Sequence, residues 1–497
     1  MGCRVASPIP ALTIHPFARL MTRDFTPDGL GSSADVNSFM MTEKHSSGGQ
    51  TLSSGQWMVL LAAFLGWLFD GFEIGLFPVV ARPALLNMLG QGGDAAVGPW
   101  MAKITAAFLL GAAGGGLIFG WLGDRIGRVR ALSISILVYS LFTGCGYFAQ
   151  TPTHLAIFRF IAALGMGGEW ALGVALVMEC WPEKWRPVLA GAIGAAANFG
   201  FLLTGLVARV WPPTPESWRT MFLIGALPAL LVFLIRLAVP ESERWENSVK
   251  SGKSKPLVEV FAPQIRSRTL LAIVFASVAL IGTWGSVTWI PLWANQLVSQ
   301  EAQVQLRKEN PNWYQADGTP AVLNADQAAQ RTARESEGKR AAGAASGNVQ
   351  MIQGLGAILG CIIAPLLGAH LGRRIAFFLL CMGSVSICAL MFRTVAEFGT
   401  VFMAYSFGVS AVTASFYGWF PLYFPELFPT RIRATGQGLC FNFGRIFAAG
   451  GALLQGELVR TLGGSYPQAG AIVTLVYLLG MALIWFAPET KGKPLPE

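Results

Sequence analysis

Beyond residue 55 the chain alternates long apolar runs with short polar joints, and that alternation predicts its elements. Apolar stretches recur near 57–80, 100–121, 131–149, 154–178, 188–210, 218–239, 269–294, 348–368, 375–392, 399–421, 434–458 and 467–487. Each is about 20 residues, the length at which a helix rising ~1.5 Å per residue crosses a ~30 Å hydrocarbon core. The pattern therefore predicts an all-α integral membrane protein of twelve transmembrane helices. Residues 1–55, rich in Ser, Gly and Pro, are expected to form a disordered cytoplasmic tail. A six-helix bundle over 56–240, a cytoplasmic linker over 241–268 and a second six-helix bundle over 269–490 follow. One joint is atypical: 295–347, between helices seven and eight, is long, polar and of mixed charge. It is expected outside the membrane, either as a tolerated insertion or as a partly helical cap.

Composition fits that picture: 53% of residues are hydrophobic, 13% are charged and the mean hydropathy is +0.51. The 58 glycines suit close packing of helices in lipid. A net charge of +9 raises the question of nucleic acid, but the basic residues sit in short joints and form no aromatic-interleaved patch. Arg125, Arg128 and Arg130, then Lys184 and Arg186, the linker, Arg373 and Arg374, Arg431 and Arg433, and finally Lys491 and Lys493 mark every second joint. By the positive-inside rule both termini are cytoplasmic, as for a multi-pass protein of a bacterial-type inner membrane. Seven scattered Cys and four His without metal-ligand spacing give no metal site. No Gly-x-Ser-x-Gly elbow or phosphate loop is present, so neither an enzyme nor an ATP-driven machine is expected, and no cofactor. Met1-Gly2-Cys3 suggests lipidation, but Ala6 stands where myristoylation needs Ser or Thr.

The second half repeats the first. Glu179-Cys180-Trp181-Pro182-Glu183-Lys184-Trp185-Arg186 with Gly191 returns as Glu426-Leu427-Phe428-Pro429-Thr430-Arg431-Ile432-Arg433 with Gly438, at an offset of 247. Pro240-Glu241-Ser242 returns as Pro488-Glu489-Thr490, and Gly123 to Arg128 returns in degraded form as Gly368 to Arg373. Such duplication is the mark of transporters whose halves rock about a central site. The run Gly120-Trp121-Leu122-Gly123-Asp124-Arg125-Ile126-Gly127-Arg128 resembles the signature of the major facilitator superfamily. The Glu-x-x-Pro-x-x-x-Arg copies and Pro240-Glu241-Ser242-Glu243-Arg244-Trp245 resemble its sugar-porter and metabolite:proton symporter branches. Arg159 to Gly191, including Gly165-Met166-Gly167-Gly168-Glu169-Trp170, resembles bacterial sialic-acid transporters and related organic-acid symporters. Asp70-Gly71-Phe72-Glu73 resembles the Asp-Gly-Tyr-Asp of aromatic-acid symporters, with Glu in place of the second Asp. The resemblance implies the major facilitator fold, two pseudo-symmetric bundles, with the proton gradient as energy source.

A charge within a span costs at least ~2.5–3.5 kcal/mol, so ionisable residues there are candidates for function. Asp70 and Glu73 lie in helix one, Arg159 and Glu169 in helix four, and Arg445 in helix eleven. Asp70 falls about 20 Å above the cytoplasmic end and Arg159 roughly 8 Å below the outer face, nearly the same depth. An Asp70–Arg159 pair is thus expected. In the sugar:proton symporters that the chain resembles, an Asp and an Arg at these positions couple the proton; a static pair fastening two helices is the other reading. Glu169, about 15 Å deeper, stands open as a relay or an inner-gate residue. Arg445 is expected near mid-membrane, either gripping a substrate carboxylate or pairing with helix one across the halves.

Asn198, Gln353, Asn442, Trp284, Trp289 and Tyr417 are candidate substrate contacts, while Trp293 is expected as an interface anchor. Gly123, Asp124, Arg125, Arg128, Glu179, Arg186, Glu426 and Arg433 are expected to form cytoplasmic ion-pair clasps that gate the two halves, although Ala369 replaces Asp124 in the second copy. The expected function is proton-coupled symport of a small, anionic organic acid or sugar acid by alternating access, in a monomer. A neutral sugar carrier and a non-transporting sensor on the same fold are the alternatives.

Overall fold

The computed structural model of the chain describes residues 54–90, 94–126, 128–170, 173–174, 177, 181, 185–237, 256–315, 321–429, 432–493 and 495–496. The tail, the greater part of the linker and Glu179 lie outside the described residues. The described chain is helical throughout the membrane region. Nine of its helices are long and apolar enough to cross a membrane, and Pro152–Met166 and Trp218–Leu227 are shorter apolar helices. Arg433–Thr461 completes the twelve.

In order, the first six spans are Ser54–Leu89, Asp94–Ile126, Arg128–Cys145, Pro152–Met166, Arg186–Val210 and Trp218–Leu237. Span four starts where it does because Thr151 caps it, its hydroxyl accepting the His154 N–H, with Pro152 fixing the first turn. Span seven is broken, Arg266–Gly285 followed by a short turn over Val287–Trp289 and then Ile290–Glu309. Span eight is the continuous helix Ala325–Leu371, and span nine is Arg373–Thr394. Span ten divides into Thr400–Thr413 and Ser415–Tyr423, span eleven is Arg433–Thr461, and span twelve divides into Tyr466–Val473 and Val476–Leu483.

The duplication is visible in the packing. Span five packs along span eight, and span two along span eleven, forming the main contacts between the halves. Within the halves, span one packs on span five and span seven on span eleven. Each of these pairings maps onto its partner when the halves are exchanged. Small residues permit the approach. A Cβ on Gly71 would lie 1.9 Å from the Ala197 carbonyl oxygen, and one on Gly200 would lie 2.0 Å from that of Leu68. Only glycine at both positions lets spans one and five touch backbone to backbone.

The 295–347 segment is largely helix. Span seven runs on to Glu309, a turn over Pro311–Trp313 follows, and Asn324 caps span eight by accepting the Gln327 N–H. The two extensions hold together through the buried Leu306 and Trp313, the Arg307 guanidinium over the Tyr314 ring, and the Ser346 hydroxyl donating to the Pro291 carbonyl. Polarity is what made this stretch resemble a loop, although Ala, Gln, Glu, Arg and Lys are all sound helix formers.

Candidate functional site

Between the halves lies a central cavity. Its walls come from spans one, two, four and five of the first half and seven, eight, ten and eleven of the second. Trp67, Phe108, Trp170, Trp284 and Phe441 give it an aromatic lining, and Asp70, Asn198, Gln353, Tyr417 and Arg445 place polar groups in it. Aromatic walls with a few convergent polar groups are the usual chemistry of a small-molecule site. The halves meet beyond both ends of the cavity, at Gly98 with Val459 on one side and at Gly191 with Ile362 on the other.

Arg445 projects from span eleven into this space, its guanidinium 4.9 Å from the Phe441 ring centre. It donates to the Asn442 side-chain oxygen at 3.0 Å and to the Gly167 carbonyl at 3.4 Å, the second bond crossing between halves. Phe441 in turn stacks on Trp170 at 4.3 Å. The carboxylate whose charge acts on Arg445 is Asp70 of span one, also in the cavity wall. The two halves thus contribute one charge each to a single site.

Arg159 pairs with Glu73, not with the expected Asp70. The Glu73 carboxylate also accepts the Thr143 hydroxyl at 3.1 Å, so it joins spans one, three and four. Both members are sealed, at 0% and 3% exposure. The Arg159 guanidinium stacks over Phe108 at 4.7 Å and Phe77 at 5.4 Å. Asp70 and Glu73 are three residues apart, a spacing that puts them on neighbouring parts of one helix face. One side chain opens on the cavity while the other turns into the bundle. Depth along the helix allowed either to meet Arg159; rotation about the axis decides between them. Glu169 is fully buried near the same bundle.

Of the other candidate contacts, Asn198, Gln353, Trp284 and Tyr417 line the cavity. Asn198 donates to the Gly194 carbonyl one turn back and to the Cys361 sulfur. Asn442 positions Arg445 from behind the cavity wall. Trp289 is buried outside it, its indole N–H donating to the Trp284 carbonyl at 3.0 Å. Trp293 is no interface anchor: it is buried against Phe392 and Phe402. Trp67, Thr283 and Gln350 also line the cavity, and among apolar spans nothing in the sequence set them apart.

The side chains of Asp124, Arg125, Arg128 and Arg186, with Gly123 and Glu179, fall outside what the structure describes. The second-half clasp is described, and its partners differ from expectation. Glu426 pairs with Arg373, through Nη2 at 2.6 Å and Nε at 3.0 Å. The Thr490 hydroxyl donates to the same carboxylate at 2.7 Å. Arg433 donates to the Pro425 and Pro496 carbonyls. Arg373 occupies the repeat position of Arg128, and Thr490 lies in the returning Pro-Glu-Thr, so the repeat itself held the signal. Glu489 completes the cluster by accepting the backbone N–H groups of Arg373, Arg374, Thr490 and Lys491 at 3.0–3.1 Å.

Residues 59–300 match the family described as the Major Facilitator Superfamily. The chain is 26% identical over 430 residues to the sialic acid transporter NanX of Escherichia coli strain K12, covering 86% of this chain and 91% of that protein. It is likewise 26% identical over 454 residues to the cis,cis-muconate transport protein of Acinetobacter baylyi, covering 89% and 97%. The solved structure of the E. coli xylose transporter XylE in a partially occluded inward open conformation matches with a TM-score of 0.61 and 18% identity, over 89% of this chain and 100% of that one. With twelve spans in two matched halves around one cavity, the chain has the fold of that solved structure and is similar, over residues 59–300, to the Major Facilitator Superfamily and, over most of its length, to membrane transporters of metabolites.

Proposed function

We propose that the chain is a proton-coupled symporter of a small organic acid or sugar acid, working by alternating access as a monomer in a bacterial-type inner membrane with both termini cytoplasmic. The observation that carries the substrate class is Arg445 in the cavity wall, a guanidinium able to grip a carboxylate through two parallel bonds. The relatives point the same way, since sialic acid and cis,cis-muconate are both carboxylic acids. The charge of Asp70 acts on Arg445, and a substrate carboxylate bound to that guanidinium would bring a second negative charge beside Asp70.

Proton handling is assigned to Glu73 and Arg159. A carboxylate sealed among apolar side chains keeps its charge only beside its cation. When the bundle shifts and Arg159 turns away, Glu73 takes a proton, and the neutral, loaded site can reorient. The basic residues mark every second joint, hence one side of the spans, and this supports the orientation.

Proteoliposomes with an imposed pH gradient test both assignments, with N-acetylneuraminate, cis,cis-muconate, aromatic acids, small carboxylates and hexoses as probes. Concentrative uptake of an acid that vanishes when the gradient is collapsed is the expected result. Gradient-insensitive uptake would sink symport, and preference for a neutral hexose would sink the acid. In Arg445→Gln, KM for the acid should rise at least tenfold, as expected for loss of a bidentate charge-assisted contact.

A further inference from the structure

Many polar side chains of the cavity wall are already bonded within the protein. Asn198 donates to the Gly194 carbonyl and the Cys361 sulfur, and Gln353 donates to the Val287 carbonyl at 3.2 Å. The Thr283, Thr288 and Thr413 hydroxyls each donate to the carbonyl four residues back. Gln350 of span eight is different. It lines the cavity at 4% exposure, and its side-chain amide has no hydrogen-bond partner among the described residues. An amide buried without a partner is costly, and an apolar side chain would fill the same place without that cost. A glutamine there makes sense where a molecule entering the cavity completes its bonds.

Gln350 stands at the other end of the cavity from Arg445. Spans seven and eleven run in the same direction, with Gly444 against Ala276 and Gly451 against Gly285. Span eight runs against span seven, since Gln353 bonds the Val287 carbonyl and Ser346 that of Pro291. Stepping from Arg445 to Gly451, from Gly285 to Val287 and from Gln353 to Gln350 moves always the same way. At ~1.5 Å per residue, the two backbone positions are about 15 Å apart along the spans. Arg445 and Asp70 are the charged side chains of the wall among the described residues, and the charge of Asp70 acts on Arg445. The Gln350 end is polar but carries no described charge.

We infer that Gln350 is a substrate contact that sets specificity: it takes a neutral hydrogen-bonding group at the far end of a molecule whose carboxylate sits on Arg445. The substrate class narrows to monocarboxylates with a distal hydroxyl, carbonyl or amide. An acid without that group leaves the Gln350 amide unpaired, and a diacid buries a second carboxylate with no cation beside it. A site built to pair a polar group rejects the analogue lacking it far more strongly than an apolar pocket rejects a missing methylene. This rests on the acid reading of Arg445 given above and narrows it.

Calorimetric titration of the purified full chain tests the contact on two scaffolds of different length. The probes are benzoate, 4-hydroxybenzoate and terephthalate, then cinnamate, 4-hydroxycinnamate and 4-carboxycinnamate. On at least one scaffold the hydroxy acid should bind at least tenfold tighter than both the parent acid and the diacid. In Gln350→Leu, and equally in Gln350→Met, the ratio of hydroxy acid to parent should fall to about one. Equal binding of parent and hydroxy acid by the wild type on both scaffolds would overturn the inference. So would a preference that survives in both variants, including one that survives a common loss of affinity for all three acids, which is what lost packing produces. Arg445→Gln separates this from the reading beneath it, since it should weaken every acid while keeping the preference for the hydroxyl. Acids that bind Arg445→Gln as tightly as the wild type, or a wild type that binds none of the six, would overturn the acid reading itself.

Discussion

At the scale of single residues, the molecule separates two charge pairs that a reading by depth would merge. Arg159 and Glu73 are buried together, while Arg445 and Asp70 both line the cavity and the charge of Asp70 acts on Arg445. Removing one member of a buried pair strands the other, at a cost of about 3–5 kcal/mol, whereas removing both does not. Arg159→Leu should therefore lower the melting temperature of the purified protein sharply, and Glu73→Gln/Arg159→Leu should recover much of the loss; equal melting of single and double variants would count against the pair. In transport, Glu73→Gln should lose pH-driven accumulation by at least tenfold while substrate counterflow, which needs no net proton release, persists. Asp70→Asn should instead impair both. Which carboxylate went where was not legible in the sequence, because a helix apolar on nearly every side carries no periodicity from which to read its facing. That Asp70, Glu73, Arg159 and Arg445 mattered was legible, because charges are rare in spans.

At the scale of elements, the apolar runs located the helices, and their small residues set how closely they pack. Gly71 and Gly200 are the clearest case, each meeting the opposing backbone where a side chain would stand. Gly200→Val should drive spans one and five apart and lower the yield and melting temperature of detergent-purified protein well beyond the effect of Gly450→Val, where a Cβ meets nothing within 4 Å. Similar losses at both sites would show that β-branching in a helix, not the close crossing, is responsible. The breaks in spans seven, ten and twelve were not foreseen. Hydropathy does not respond to a freed carbonyl, and Pro291 was the single mark on the sequence of the break in span seven. The helical extensions of spans seven and eight, left open in the sequence between a tolerated insertion and a partly helical cap, were undecided for the opposite reason. Outside lipid a helix needs no apolar run, so its polar composition resembled that of a loop.

At the scale of the whole molecule, the described clasp ties parts of one half and does not bridge the two. Arg373 begins span nine, Glu426 follows span ten, and Glu489 and Thr490 follow span twelve, so the cluster locks one end of the second bundle into a unit that can rock as one body. Glu489 is its keystone. Span nine starts at Gly372, φ +95°, with no side-chain cap of its own, and Glu489 supplies the missing acceptor to its first N–H groups. A side chain at residue 372 would collide with that carboxylate, a Cβ lying 2.9 Å from it, so the glycine answers both demands. Partial burial pushes the Glu489 carboxyl up, but four backbone N–H donors outweigh it and hold the group below its ordinary 4.5. The sign of the linkage follows: the folded state binds the proton less readily than the unfolded chain. The stabilisation is therefore fully present above about pH 4.5 and is lost as pH falls through the folded value. Melting of the purified protein should show Glu489→Gln a few degrees less stable at pH 7, with the gap closing as pH falls below 4.5. A gap that stays constant from pH 7 to pH 3.5 would mean that the carboxylate's charge contributes nothing at that helix end, and that the clasp is held by Arg373 and Glu426 alone.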